Sequence, residues 1–169
     1  MIERQEIDMD CMKKKILGFV IALAVLVSAA AVPVQAAPKG YIFKYKKVSA
    51  AMHGKAAALM KKAGKPASQK RSKSCAYDGL DSTYVYKDFI LTTYSHSMKG
   101  EQYINSITLR TDKVATREGI KIGSPYNAVV KKYGKAKGSL GVYTYTKGKS
   151  RLQIEVTDDE VTKITYVAK

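Results

Sequence analysis

Apolar and polar positions alternate most regularly near the end of the chain, where Leu152, Ile154 and Val156 are separated by Gln153 and Glu155. A period of two puts successive side chains on opposite faces, so this stretch predicts a strand with one covered and one wet face. Phe89 to Tyr94 repeats the pattern more loosely, and Ile104 to Leu109 and Val161 to Tyr166 each read as a further strand. Tyr84-Val-Tyr86 and Tyr143-Thr-Tyr145 are shorter pieces with two rings on one face, and Tyr41-Ile-Phe-Lys-Tyr45 predicts a strand with alternate aromatic residues. Lys87-Asp88 and Lys147-Gly148-Lys149 are the expected hairpin turns, with loops at Ser97 to Gly100 and Thr157 to Asp159.

Two stretches change period. Ala56, Leu59, Met60 and Ala63 fall at i, i+3, i+4 and i+7, as do Tyr126, Val129, Val130 and Tyr133, giving each a helical apolar stripe. They are copies: Ala58-Leu-Met-Lys-Lys-Ala-Gly-Lys-Pro66 lies over Ala128-Val-Val-Lys-Lys-Tyr-Gly-Lys-Ala136 at an offset of 70 residues (128 − 58). Gly64 and Gly134 stand where a helix ends in a residue of positive φ, and Lys61-Lys62 and Lys131-Lys132 fall on the outer side. At the same offset Gly54 matches Ser124 and Lys55 matches Pro125. Ser followed by Pro reads as an N-cap and first helical position, which places the helix starts near Gly54 and Ser124. Val48 to Met52 is then extended and matches Glu118 to Ile122.

The expected fold is α+β: two tandem units, each a short helix plus about three antiparallel strands, forming one continuous sheet with the helices on one face. Residues 37–113 make the first unit and 114–169 the second, with Val114 to Gly123 as the join and no Pro- or Ser-rich linker between them. Helices this short are marginal alone and need a sheet to pack on.

The amino terminus is a separate element. Met12-Lys-Lys-Lys15, an uncharged run from Ile16 to Ala31 and Val34-Gln35-Ala36 have the order of a secretory signal cleaved after Ala36. An uncleaved anchor is the rival reading, because the run approaches the roughly 18 residues that span a bilayer. Residues 1–11 carry Glu3, Glu6, Asp8 and Asp10 ahead of the basic segment, which fits a start at Met12. The expected location is outside a Gram-positive-like cell, secreted or held at its envelope. The chain holds 30 Lys and Arg against 14 Asp and Glu, a net charge of +16, and removal of 1–36 leaves that charge unchanged. A field of this sign concentrates polyanions such as envelope polymers, or serves solubility alone. An unidentified protein or an anionic envelope polymer is therefore the expected partner. Nucleic acid is not expected as the specific ligand, and a membrane enters only through an uncleaved signal.

Candidate chemistry is sparse. The mature part keeps one cysteine, Cys75, too few for an internal disulfide. Cys75 with His96 and Asp78 or Asp81 is the only nucleophilic combination to write down, against a reading of Cys75 as a small buried hydrophobe at a strand start. His53 and His96 lack metal-ligand spacing, and Asp78-Gly-Leu-Asp81 and Thr157-Asp-Asp-Glu160 read as turn acids, so no metal or other cofactor is expected. No catalytic serine motif or phosphate loop is present, and a non-enzyme is the expectation. The tyrosine pairs are the candidate binding residues. If they lie on the open sheet face, Tyr84, Tyr86, Tyr143 and Tyr145, flanked by Lys87, Lys147 and Lys149, form an aromatic, cationic platform. If they lie on the helix-covered face, they are core with hydroxyls at the rim.

The secretory signal, the Gly-Lys-Pro-like helix end, the Tyr-x-Tyr strands and the closing Ile-x-Leu and Ile-x-Tyr strands together resemble the tandem-repeat fold of the β-lactamase-inhibitor proteins. Ser74-Cys-Ala-Tyr-Asp-Gly79, Thr116-Arg-Glu-Gly-Ile-Lys-Ile-Gly123 and Lys131-Lys-Tyr-Gly134 carry most of the similarity, notably to secreted proteins of Gram-positive gut bacteria with that fold. The resemblance implies a concave sheet face that binds a protein, and an inhibitor of a secreted enzyme as the alternative function. The disulfides that brace the loops of those inhibitors have no cysteines here.

Overall fold

The computed structural model describes residues 40–75 and 78–169. The segment read as a secretory signal and the middle of the Ser74 to Gly79 motif lie outside them. Ala37–Lys169 clusters as a unit by its internal contacts. The described residues open with β1 (Ile42–Tyr45) and β2 (Val48–Ala51), an antiparallel pair turned at Lys46-Lys47, and continue into α1 (Ala57–Ala63). Four strands follow: β3 (Ser68–Lys73), β4 (Leu80–Val85), β5 (Phe89–Ser95) and β6 (Tyr103–Leu109). Then come α2 (Tyr126–Tyr133) and the strands β7 (Gly138–Ser139), β8 (Val142–Lys147), β9 (Ser150–Thr157) and β10 (Glu160–Ala168).

The protein is α+β. Eight strands make one antiparallel sheet in the order β3-β4-β5-β6-β10-β9-β8-β7, while β1 and β2 form a second sheet by themselves. The expectation of a single sheet is corrected on that point. The expected strands β4, β5, β6, β8, β9 and β10 are present, but β3 and β7 were not anticipated. β3 reads Ser-Gln-Lys-Arg-Ser-Lys and every residue in it is exposed, so it carries no apolar alternation to read. β7 is two residues long.

Burial follows the alternation. Leu80, Ser82 and Tyr84 on β4, Phe89 and Leu91 on β5, Leu152 and Ile154 on β9, and Ile164 and Tyr166 on β10 are buried, and the residues between them are not. The buried row shares one core with Phe43, Ala50, Ala56, Leu59 and Val129, so both helices and the β1–β2 ribbon cover the same face. The other face is left to the polar half of each strand.

Three local expectations need correction. Helix α1 starts at Ala57 and not near Gly54, because the backbone of residues 53–56 bonds to the sheet: His53 N–H to Ile104 O (2.8 Å), Ile104 N–H to Gly54 O (2.9 Å), and Ala56 N–H to Gln102 O (2.9 Å). Helix α2 starts at Tyr126 after Pro125, whose ψ of 146° is extended; Ser124 Oγ accepts Lys121 N–H instead of capping the helix. Glu118 to Ile122 is not a strand. Thr116 N–H bonds Ile120 O at 2.7 Å and Gly119 adopts φ 90°, which folds this stretch into a turn. The helix ends are as read: Gly64 and Gly134 have φ of 84° and 82°, and their N–H groups bond Met60 O and Val130 O.

Candidate functional site

The paired tyrosines face the core. Tyr84, Tyr86 and Tyr145 are buried, and Tyr143 is partly buried against the same cluster. The β8 rings seat α2: Tyr143 packs on Tyr126 at 4.5 Å between centroids and Tyr145 on Tyr133 at 5.2 Å, while Tyr86 packs within the sheet on Phe89 of β5 at 4.9 Å. Tyr145 Oη also donates to Gly134 O at 3.1 Å and so ties β8 to the end of α2. Hydrogen bonding to Tyr143 is the largest of the causes, burial among them, that push the Tyr126 phenol up to about 12. Burial alone would raise Tyr84, but hydrogen bonds with Arg71 (3.2 Å) and Gln102 (2.8 Å) and the Arg71 charge bring it below the ordinary phenol value.

The flanking lysines do not come together. Lys87 follows β4 in the turn before Phe89, and Lys147 and Lys149 flank the β8–β9 turn. Phe89 pairs with Leu109 at one end of the sheet, while Ser150 pairs with Ala168 at the other, so the two turns point in opposite directions. Lys147 and Lys149 instead line an apolar cleft of about 600 Å³ with Tyr41, Ile42, Ala51 and Met52. The paired tyrosines therefore lie on the covered face, where Tyr143 and Tyr145 seat α2.

Cys75 is exposed in the segment after β3, which corrects the reading of a buried hydrophobe. Asp78 is ion-paired to Lys73 at 3.7 Å, and the His96 ring packs on Tyr94 (5.4 Å) and Tyr103 (6.0 Å). Among the described residues no three His, Cys, Asp or Glu side chains come together as a metal group. None of their helices is long and apolar enough to cross a membrane.

What the fold presents to solvent is the uncovered sheet face. Cross-strand register sets Lys70, Thr83, Thr92, Ser106, Val167, Arg151 and Thr146 in one row from β3 to β8. The next row runs Val85, Ile90, Thr108, Thr165, Gln153 and Thr144. Hydroxyls bond along these rows, Thr92 to Ser106 at 2.7 Å and Thr108 to Thr165 at 3.2 Å. Glu155 on this face is spent on Lys163 at 2.9 Å. Arg151 Nε is buried and has no hydrogen-bond partner among the described residues, so a guanidinium donor remains unused there. At the β3 end the face deepens into a cleft of about 720 Å³ lined by Lys70, Ser72, Asp81, Thr92, Tyr94 and Asn105, among others. Hydroxyls that both donate and accept, with cations at intervals, suit recognition by hydrogen bonds and anion pairing.

The sequence held a signal for this face in the polar half of each alternating strand. Its hydroxyl character is no distinguishing signal, because Thr and Ser are common at solvent-facing strand positions. Comparison with protein-family models, curated proteins and solved structures finds no match.

Proposed function

We propose that this is an exported, non-catalytic binding protein, secreted or held at the cell envelope, whose recognition surface is the uncovered face of the eight-stranded sheet. The observation that carries the reading is the asymmetry of the sheet. Both helices and the ribbon pack on one face, and the other offers a wide field of Thr, Ser, Gln and Asn with Lys70 and Arg151 in it. The leader pattern at Met12 to Ala36 supports export, and the net charge of +16 favours an anionic partner.

We further read the body as two tandem units, on hydrogen bonds that repeat. His53 N–H to Ile104 O corresponds to Gly123 N–H to Val161 O; Ile104 N–H to Gly54 O corresponds to Val161 N–H to Ser124 O; Ala56 N–H to Gln102 O corresponds to Tyr126 N–H to Asp159 O. His53 (φ 62°) and Gly123 (φ 83°) share the left-handed conformation at matched positions. Such a duplication gives the open face two similar halves joined where β6 meets β10.

Immobilised protein is tested for capture from envelope extracts at low and high salt, beside a Thr92→Glu/Thr165→Glu variant and a Lys61→Glu/Lys62→Glu control on the helix side. A polyanion is released at high salt, whereas a buried protein complex survives it. Survival with a secreted enzyme as the captured species is the signature of the inhibitor function that the resemblance implies. The ligand is expected to be lost from the face variant and kept by the control. Capture that persists in the face variant refutes the assignment of the face.

A further inference from the structure

We propose that the free edge of β3 is a docking site for an extended acidic peptide segment of a partner protein, which adds to the sheet as a ninth strand. The inference stands apart from the open face: it concerns backbone groups at the sheet's rim.

β3 is the terminal strand of the eight, and all six of its residues are exposed. Ser74 N–H bonds Gly79 O at 3.0 Å, and the pairing from Ser68↔Val85 to Lys73↔Leu80 continues that register. Hydrogen-bonded and non-bonded pairs alternate along an antiparallel ladder, so residues 68, 70 and 72 turn their backbone groups to β4. Gln69, Arg71 and Lys73 therefore direct N–H and C=O outward, a row of donors and acceptors ready for another strand.

Charge selects the occupant. Lys70 faces the cleft on the open side, Arg71 reaches Tyr84 on the covered side, and Lys73, in a solvent-exposed ion pair with Asp78 at 3.7 Å, carries the third positive charge. A second copy of this chain would bring the same three cations against them, and like charges facing across strands oppose pairing. A strand with Glu or Asp at alternate positions sets its carboxylates on one face, beside Arg71 and Lys73 or beside Lys70 according to its register. At the other end the sheet ends on the two-residue β7, which pairs with Val142 and Tyr143 of β8, so β3 is the longer terminal strand.

The test uses the full chain and three capped probe peptides: (Thr-Glu)4, (Pro-Pro-Glu-Glu)2 with the same charge but prolines in both registers, so that neither edge presents a full row of N–H donors, and (Thr-Lys)4. Binding of (Thr-Glu)4 is expected to protect the amides of Gln69, Arg71 and Lys73 from hydrogen exchange; residues 68, 70 and 72 are already bonded to β4. Gln69→Pro removes one outward N–H without changing charge or breaking the β4 ladder, and should weaken (Thr-Glu)4 by about tenfold, the worth of one net hydrogen bond. Lys70→Thr/Lys73→Thr should weaken it as well, with the melting temperature of both variants near the parent's. Equal binding of (Pro-Pro-Glu-Glu)2, an unaffected Gln69→Pro variant, or no binding of (Thr-Glu)4 would each overturn the proposal. Loss of binding in the Thr92→Glu/Thr165→Glu variant with Gln69→Pro silent would move the peptide to the open face and also overturn it.

Discussion

Tyr133 and Tyr166 are both phenols turned toward the core, yet their hydroxyls have opposite fates. Tyr133 Oη donates to Glu118 Oε2 at 2.6 Å and lies 2.8 Å from Thr116 Oγ1. Tyr166 Oη is buried with no partner among the described residues. Burial first, then Glu118, raises the pKa of both groups above the ordinary phenol value. Tyr133→Phe deletes a charge-assisted bond and is expected to cost about 1–2 kcal/mol near neutral pH. Tyr166→Phe removes only an unsatisfied hydroxyl and should be neutral or stabilising. Because folding raises the Tyr133 pKa, its contribution is fully present below pH 10 and falls as pH rises above it, where the unfolded phenol ionises and the folded one does not. The gap between parent and Tyr133→Phe in urea unfolding should therefore narrow between pH 9.5 and pH 11. A gap independent of pH would show that Glu118 and burial do not act on this group as described.

At the scale of elements, each short helix is held by one fully buried anchor, Leu59 in α1 and Val129 in α2. Neither has a side-chain N-cap bond, and neither has an acid in its first turn. Their stability comes from packing on the sheet and from the glycine ends. Leu59→Ala is expected to cost about 2–5 kcal/mol, the range for a large-to-small change in a closed core. Lys61→Ala, on the outer side of the same helix, should stay within about 0.5 kcal/mol. Thermal unfolding of the two variants checks this, and comparable losses would contradict the packing of α1. The repeated Lys-Lys-x-Gly-Lys stretch is accordingly an outer helix face and its stop.

At the scale of the whole molecule, the first and last strands of the described residues brace one another. Phe43 of β1 packs edge-on against Tyr166 of β10 at 5.7 Å, Tyr41 meets Tyr133 of α2 at 6.2 Å, and β6 pairs with β10 through Ser106 to Thr108. One core cluster includes residues from both halves. A fragment of residues 37–113 exposes Ile107, Leu109 and Phe43 where β10 should lie, and a domain that small buries too little surface to make up for them. It is expected to show no cooperative thermal transition alone and to regain one when mixed with residues 114–169. Cooperative melting of the isolated fragment would show that the halves are independent.

Local chemistry was enough to determine the alternating strands at Leu152 to Val156 and Phe89 to Tyr94, the two helical stripes, the turn at Gly148 and the glycine ends, because each is written in spacing or in one residue's backbone freedom. β3 is not legible in the sequence, since an edge strand with no buried side has nothing apolar to alternate. The direction of Tyr84, Tyr86, Tyr143 and Tyr145 was open for another reason. A tyrosine is apolar along its ring and polar at its tip, so it serves a core or an open face equally, and only the position of Tyr126, Tyr133 and the ribbon above the sheet decides between them. The same packing decided the candidate site: once the helices claim the tyrosine side, recognition is left to the hydroxyl rows and to the bare edge of β3.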